Sequence, residues 1–324
     1  MLKSEIQEIE KTDFDLDLLG FDNSFLNDLL SDDDLQQLEE DEVPEVQENT
    51  VSVLGDVWQL NDHRLMCGDS TSINDVERLM DGEKADMVFT DPPYNTGMTS
   101  QTQAGSGGTL WKGNKKKNEK ARLSHMFNDS YTDEEWDNFL NDFCNSYELF
   151  SKNDIFIFIC LDWRRSHELV PVIKKFWDFK NLIVWDKLVH GLGSDYKYTH
   201  EFIHVCKKGK PPLAKNKDGE KEYQDVWRIQ RKMGKDEDHA TKKPIELCAR
   251  AIKHASNKGQ IVLDLFGGSG STLIACEQAE RKSYMMELDP KYCDVIIRRW
   301  QNLTGKEAVL KSNGKTFREV ENAS

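Results

Sequence analysis

The stretch VFTDPPYNTG, residues 88–97, sets an aspartate, two prolines and a tyrosine directly after a short apolar run. Prolines remove backbone donors and fix φ, so the run cannot continue as a central strand. The pattern predicts a strand over Ala85 to Thr90 that stops abruptly and presents Asp91, Pro92, Pro93 and Tyr94 at its carboxyl end. In open α/β sheets that is where ligands bind. A second stretch, VLDLFGGSGST (262–272), places three glycines between a predicted strand and a predicted helix. Glycines there let the backbone approach a ligand closely at a helix N-terminus. Glu287 follows Gly267 by 20 residues, at the end of the next predicted strand. A carboxylate at that point can accept hydrogen bonds from both ribose hydroxyls. Together these features point to a nucleoside-containing cofactor. They do not form a nicotinamide fingerprint, because Leu273 holds the position of the third spaced glycine. A rigid turn after a strand, and a tight strand–helix turn with no ligand, are the plain structural alternatives.

The elements that must position these residues follow from periodicity. DVWQLNDHRLMCGDS reads as two short strands with a turn near Asn61 and Asp62. INDVERLMDG is helical, with Ile73, Val76, Leu79 and Met80 at helix spacing. TDEEWDNFLNDFCNSYELF carries a Thr cap, acids in its first turn and an apolar stripe, which predicts a helix. DIFIFIC predicts a buried strand, SHELVPVIKKFWDF a helix, NLIVWDK a strand and EFIHVCKKG its antiparallel partner. KPIELCARAIKHAS predicts a helix closed by a turn at Asn257 to Gly259. Strand QIVLDLF, the glycine loop, helix TLIACEQAERK, strand SYMMELD and helix KYCDVIIRRWQNLTG complete the chain. Alternating strands and helices imply an α/β fold with a mostly parallel, doubly wound sheet.

The 324 residues allow one large core or two modest ones, with 38% hydrophobic and 31% charged residues. No apolar run approaches the ~20 residues that span a membrane, and the acidic start MLKSEIQEIEKTDFDLDLLG lacks a signal-peptide core. Seven single cysteines without a C-x-x-C pair imply reduced thiols in a cytoplasm and no structural zinc. The net charge of −15 is unevenly spread: residues 1–50 hold 17 acids and 2 lysines, and residues 51–324 balance to zero. The acidity therefore does not argue against a nucleic-acid partner for the body. Residues 1–50 read as an acidic, largely disordered tail or linker, with GFDNSFLNDLL able to form one short amphipathic helix. A solvated linker, a docking helix and a groove-blocking acidic arm are the readings for it. Residues 51–324 read as the globular domain, with basic inserts at about 95–128 and 207–238.

DPPY together with the D-x-F-G-G-S-G-S loop resembles the amino-group DNA methyltransferases that use S-adenosylmethionine. Their order resembles the circularly permuted beta group, with the catalytic segment first and the cofactor loop about 170 residues later. CGDS (67–70) matches that group's Gly-Asp motif, and HATKKP (239–244) its His-x-Thr-x-Lys-Pro element. The resemblance covers roughly residues 51–324 and implies a Rossmann-like methyltransferase fold, with an antiparallel edge strand. LGDVWQLNDHRLMCGDST and IIRRWQNLTGKEAVL further resemble the methyltransferase half of phage-associated fusions that carry a ParB-like nuclease domain in front. In those fusions an acidic "GFD" segment joins the halves. Here it starts almost at Met1, so the chain resembles a truncated or split version without nuclease activity.

The resemblance implies roles. The exocyclic amine of adenine is a poor nucleophile because its lone pair is delocalised. Asp91 would accept one of its N–H groups and the Pro92 carbonyl the other, aiming the lone pair at a sulfonium methyl. Asp91 would also stabilise the positive charge that develops on nitrogen. The prolines hold the acceptor carbonyl still, and Tyr94 offers a ring for stacking on the base. The target amine must leave the duplex stack, so base flipping is implied. Phe266, Gly267, Gly268, Ser269 and Gly270 would line the methionine and ribose region. Asp264 would anchor that loop or the ammonium, Glu287 the ribose hydroxyls, and Asp69 would sit near the cofactor's adenine. Lys243 would pair with the methionine carboxylate or lie on the surface. His239 reads as structural and Trp185 as core. No metal is required.

DNA contacts are expected from the basic inserts. Residues 112–122 hold six bases and one acid, including Lys112, Lys115, Lys116 and Lys117. Residues 207–235 hold ten Lys/Arg and four acids, including Arg228, Arg231 and Lys232, plus Trp227. Phosphate contact predicts steeply salt-dependent binding; a merely solvated surface is the alternative. The second insert is the candidate target-recognition region, and its shortness suggests a short recognition sequence. Asp rather than Ser at position 91 favours adenine-N6 over cytosine-N4 methylation. A silent DNA-binding or partner-binding module, a nicotinamide oxidoreductase, and a methyltransferase acting on RNA or protein are the other classes considered. Restriction–modification partners and a homodimer are compatible with the resemblance.

Overall fold

A computed structural model describes residues 41–95, 131–189, 195–211, 224–231 and 242–323. The acidic stretch before residue 41, Lys112, Lys115, Lys116, Lys117, Lys232 and His239 lie outside the described residues. Ten strands form one mixed sheet. In chain order they are β1 (Val57–Leu60), β2 (His63–Cys67), β3 (Met87–Thr90), β4 (Ile155–Leu161), β5 (Asp178–Asp186), β6 (His200–Lys208), β7 (Val226–Arg228), β8 (Ile261–Asp264), β9 (Lys282–Glu287) and β10 (Val309–Leu310). The spatial order is β10-β1-β2-β9-β8-β3-β4-β6-β5-β7. The five central strands from β2 to β4 run parallel, so their carboxyl ends share one edge of the sheet. β1 and β10 join antiparallel on one side, and β6 runs antiparallel between β4 and β5 on the other.

Helices cover both faces, as the doubly wound pattern requires. On one face lie α1 (Ile73–Met80), α2 (Asp133–Phe150) and α3 (Ser166–Phe176), packed on Val88, Ile157, Ile159 and Leu263. On the other lie α4 (Ile245–Ala255), α5 (Ser271–Gln278) and α6 (Pro290–Thr304), packed on Met87, Phe89, Phe158 and Met285. Adjacent residues of β3 thus point into opposite cores, and a strand covered on both faces needs apolar residues at every position. That explains the apolar runs MVF, IFIFICL and IVL, every residue of which is buried. A short terminal helix, α7 (Phe317–Glu321), buries Phe317 against Trp58.

Local chemistry sets the helix ends. Thr132 and Glu135 form a capping box that opens α2. Asp289 caps α6, Pro290 follows it, and Gly305 closes the helix at φ +68°. No described helix is long and apolar enough to cross a membrane.

Three sequence expectations shift. The strand expected from Ala85 begins at Met87; Ala85 makes only an isolated bridge to Ser151. The helix expected through Phe179 ends at Phe176, because Trp177 turns extended to reach Glu148 and Asp178 already pairs with Lys207. The second basic insert, expected as a Lys/Arg-rich candidate recognition region, also adds to the sheet: Val226–Arg228 pairs parallel with β5, and Trp227 is buried in the core.

Candidate active site

Four motifs far apart in the chain meet on four consecutive strand ends. Asp69 follows β2, Glu287 ends β9, Phe266 to Gly270 follow β8, and Asp91 to Tyr94 follow β3. Two backbone hydrogen bonds stitch the cofactor side together: Gly68 N–H to the Glu287 carbonyl at 3.0 Å and Gly267 N–H to the Met286 carbonyl at 2.8 Å. Buried hydroxyls stitch β3 to β8. Leu265 N–H donates to Tyr147 Oη at 2.9 Å, Tyr147 to Thr90 Oγ1 at 2.6 Å, and Thr90 to Asp264 Oδ1 at 3.0 Å. Asp264 also accepts the Phe266 N–H at 3.1 Å, so its carboxylate anchors the loop. Burial pushes the Asp264 carboxyl up to about 7 against the pull of its hydrogen bonds.

The glycine turn is shaped by close packing. A Cβ on Gly267 would stand 2.9 Å from the Met285 side chain and 3.1 Å from Ile296. Gly270, at φ +85°, caps α5, and a Cβ there would press on Ile296 at 3.1 Å. Glu287 Oε2 accepts the Gly268 N–H at 2.7 Å, and Oε1 accepts the Asp289 N–H at 2.9 Å. Each oxygen keeps acceptor capacity for a further donor. Burial raises the Glu287 carboxyl to about 7. Asp69 Oδ1 accepts from the Thr71 N–H and hydroxyl at 2.9 and 2.7 Å. Phe266 stands edge-on to Phe139 and Phe143 of α2, both at 5.7 Å. A backbone turn too tight for side chains, ringed by carboxylates and an aromatic face, fits a nucleoside bearing hydroxyls and a cationic tail.

The end of β3 is built differently, from side-chain charges. Lys243 Nζ lies 2.8 Å from Asp91 Oδ2 and 2.9 Å from Glu201 Oε2. It donates to Tyr94 Oη at 2.7 Å. Tyr94 Oη in turn lies 2.6 Å from Asp91 Oδ1 and 3.1 Å from Glu201 Oε2, so its one proton serves either carboxylate. Lys187 approaches the other oxygen of Glu201 at 3.4 Å. Two acids and two ammonium groups thus neutralise one another in a mostly buried cluster. Burial raises the Asp91 carboxyl; Lys243 opposes that and Glu201 reinforces it. Burial also works against the charge of Glu201, but Lys243 and Lys187 hold it down at about 2. Burial would lower the Lys243 ammonium, yet Asp91 and Glu201 raise it well above the ordinary lysine value. Burial and the two carboxylates keep the Tyr94 phenol protonated.

Lys243, expected at the methionine carboxylate or on the surface, is buried and reaches Asp91, Glu201 and Tyr94. Its own carbonyl accepts from Ser271 Oγ at 2.8 Å at the start of α5, so one residue ties the two strand ends together. Asn95, at φ +48°, fixes the exit of the DPPY turn: its side chain accepts from the Tyr131 N–H at 2.8 Å, and its carbonyl from Arg165 Nε at 2.9 Å. Trp185 is core, as expected, its Nε1–H on the Ile229 carbonyl at 2.8 Å. Of the expected DNA contacts, Arg228 is exposed on β7, while Arg231 helps to hold the Glu201 carboxyl down. Sequence reasoning missed Glu201, Lys187, Thr90 and Tyr147. The strand EFIHVCKKG starts with a carboxylate before an apolar run, which was a legible signal; the other three carried none. An open cavity of about 710 Å³ lies beyond β4, lined by Trp163, His167, Pro171, Tyr196, Tyr198 and Phe202 among others. Trp163 and Tyr196 are exposed, and the Arg164 guanidinium sits 5.4 Å over the Tyr198 ring.

This constellation on a mostly parallel sheet suits a nucleoside-bearing ligand, and comparison with known proteins gives the class. A family model described as DNA methylase matches residues 85–298, and one described as ParB-methyltransferase HTH domain matches residues 1–54. The chain belongs to the N4/N6 DNA methyltransferase family. It is 28% identical over 251 residues to the type II methyltransferase M2.MboI of Moraxella bovis, covering 71% of this chain and 84% of the relative. The M1.HpyAVI complex with S-adenosylmethionine superimposes with a TM-score of 0.52 at 21% identity, over 72% of this chain and 98% of that one. The cytosine-N4-specific PvuII DNA methyltransferase superimposes at 0.55 with 14% identity, over 86% and 94%.

Proposed function

We propose that this chain methylates the N6 amine of adenine in DNA, on a base extruded into the recess beside Asp91. The observation that carries the reading is the placement of the Asp91 carboxylate and the glycine turn on adjacent parallel strands, joined through Thr90 and Asp264. S-adenosylmethionine supplies an electrophilic methyl on a sulfonium. The Gly267–Gly270 backbone and Glu287 would hold it, with Asp69 at its far end. Asp91 would accept one amine N–H and the Pro92 carbonyl the other, which localises the nitrogen lone pair. A fixed carboxylate beside developing positive charge is worth several kcal/mol in a confined site. Lys243 and the Tyr94 hydroxyl orient that carboxylate, and the incoming amine takes a place on Asp91 that these donors share. The Tyr94 ring supplies a stacking face.

Aspartate at position 91 supports adenine over cytosine. The fold itself serves both bases, since a cytosine-N4-specific enzyme is among its neighbours. A stretch of 77 residues is 38% identical to the DNA adenine methyltransferase YhdJ of Escherichia coli strain K12. Beyond the recess, exposed Trp163 and Tyr196 beside Arg164 suit unstacked bases next to the target, a contact worth roughly 1–3 kcal/mol per base. Arg228 and Arg231 would add phosphate contacts.

The test is nucleoside analysis of DNA from cells expressing the chain, with Asp91→Ala as control. N6-methyladenine in the wild type alone supports the reading. N4-methylcytosine would overturn the choice of base, and methylation by Asp91→Ala would overturn the role of the carboxylate.

A further inference from the structure

The glycine turn is braced from behind by a residue that neither touches the sheet's strand ends nor belongs to any of the four motifs. Arg299, on α6, is fully buried. Its Nη1 donates to the Ser269 carbonyl at 2.7 Å, between Gly268 and Gly270. The same nitrogen lies 3.5 Å from Ser269 Oγ and 3.4 Å from Ser271 Oγ. The other two donors of the guanidinium fork meet Asp41: Nε on Oδ2 at 2.7 Å and Nη2 on Oδ1 at 2.5 Å. A two-point carboxylate fork is the geometry that fixes a guanidinium's orientation as well as its charge. Asp41 comes from far upstream and is itself held, its carbonyl accepting from Lys242 Nζ at 3.0 Å. Further along, Gln47 accepts from Arg298 at 3.2 Å, and the Val51 and Ser52 N–H groups donate to Asp294 at 2.7 and 2.9 Å. Residues 41–52 therefore run as a strap across α6, gripping it at positions 294, 298 and 299.

We infer that Asp41 is a positioning residue for S-adenosylmethionine, acting through Arg299 on the Ser269 carbonyl. The inference rests on reading Phe266 to Gly270 as the cofactor loop. Without Asp41, the buried guanidinium faces no carboxylate and is drawn toward water, so it releases the turn it braces. A loop that must order on binding binds more weakly than one already ordered. The strap lies within the stretch matched by the ParB-methyltransferase HTH description. Cofactor affinity is thus tied to the segment that joins that region to the sheet, and such coupling is reciprocal.

Calorimetric titration of the full chain with S-adenosylmethionine tests this. Asp41→Asn is expected to weaken binding about tenfold. Asp41→Glu keeps the charge and is expected to lose about threefold. Gln47→Ala cuts the strap's contact with Arg298 but leaves Arg299 alone, and is expected to stay within twofold. Initial rates should show the cofactor KM raised in Asp41→Asn with kcat recovered at saturation and DNA retention unchanged. If Asp41→Asn does not fold, Asp41→Glu carries the test. A folded Asp41 variant with wild-type cofactor affinity would overturn the inference while leaving the loop assignment standing. A wild-type chain that took up no S-adenosylmethionine would overturn both.

Discussion

Apart from Glu201, which its lysines hold at about 2, the carboxylates at the carboxyl edge of the sheet are treated in the opposite way to the one at its amino edge. At the carboxyl edge, burial raises Asp91, and lifts Asp264 and Glu287 to about 7. At the amino edge, Glu277 lies at the last turn of α5 and is held at about 2 by its hydrogen bond with His63 and a second one from Trp300. The first group is costly to keep charged and stands where the proposed function places its ligands; the second stabilises the fold away from the four motifs. Sites that violate local comfort are expected to be functional ones. Within the carboxyl edge a second contrast holds: the end of β8 is shaped by main chain and absent side chains, the end of β3 by four charged groups and a phenol.

The largest expected effect breaks the contrast at its functional end. Asp91→Ala should lower methyl incorporation by about a thousandfold, in line with the loss of a fixed electrostatic partner. Cofactor binding should stay within twofold, because the side chain contacts Lys243 and Tyr94 rather than the glycine turn. A comparable loss of cofactor binding would show that the two strand ends are not separable.

The glycine turn should respond to shape alone. In Gly267→Ala the new methyl meets Met285 at 2.9 Å inside packed core, so the loop must shift. The cofactor KM is expected to rise roughly ten- to hundredfold, as misplacing a binding group by an ångström does. Gly268→Ala meets no atom within 4 Å and carries only the strain of φ +51°, so it should cost about 1 kcal/mol, or some fivefold. Equal effects would mean that backbone strain, not crowding, dictates glycine here.

Lys243 and Glu201 should move the acid limb of the kcat profile in opposite directions. Asp91 must be ionised to accept the amine, so activity falls as pH drops through its pKa. Lys243 lowers that pKa and Glu201 raises it. Lys243→Met should therefore shift the acid limb to higher pH, and Glu201→Gln to lower pH. Parallel shifts would indicate that the limb belongs to another group.

How much of this could be read beforehand differs between the two strand ends. The β8 end was legible because glycines have few reasons to cluster, and close approach of Gly267 to Met285 is one of them. The end of β3 was legible only at Asp91 to Tyr94. Its partners Glu201 and Lys187 come from β6 and the end of β5, which are antiparallel neighbours, and only the sheet order brings them to Asp91. Lys243 was found from its motif, but a lysine beside a proline does not reveal that Asp91 and Glu201 are its neighbours. Trp227 misled because a tryptophan inside a lysine-rich stretch resembles a surface contact, whereas it pairs with Trp185 in the sheet. Arg299 sat unremarked in an ordinary amphipathic helix; its partner Asp41 lies 258 residues away.

The smallest effect tests the amino edge. Glu277 Oε2 meets His63 Nε2 at 2.7 Å and Trp300 Nε1 at 2.9 Å, beneath the face that carries α5 and α6. His63 Nδ1 accepts the Ser283 N–H at 2.8 Å, which fixes the ring between β2 and β9. Because the folded pKa lies below the unfolded value, this carboxylate contributes stability that is complete above about 4.5 and is lost as pH falls toward about 2. Glu277→Gln should therefore lower Tm by a few degrees at pH 7, about 1–2 kcal/mol for a charged hydrogen bond. The difference between variant and wild type should shrink steadily below pH 4.5. Methyl transfer at 25 °C should not change, because Glu277 is bonded to His63 and Trp300 and to none of the groups described around Asp91. A Glu277→Gln chain that kept its Tm but lost cofactor affinity would place the amino edge inside the functional machinery, and would dissolve the division between the two edges.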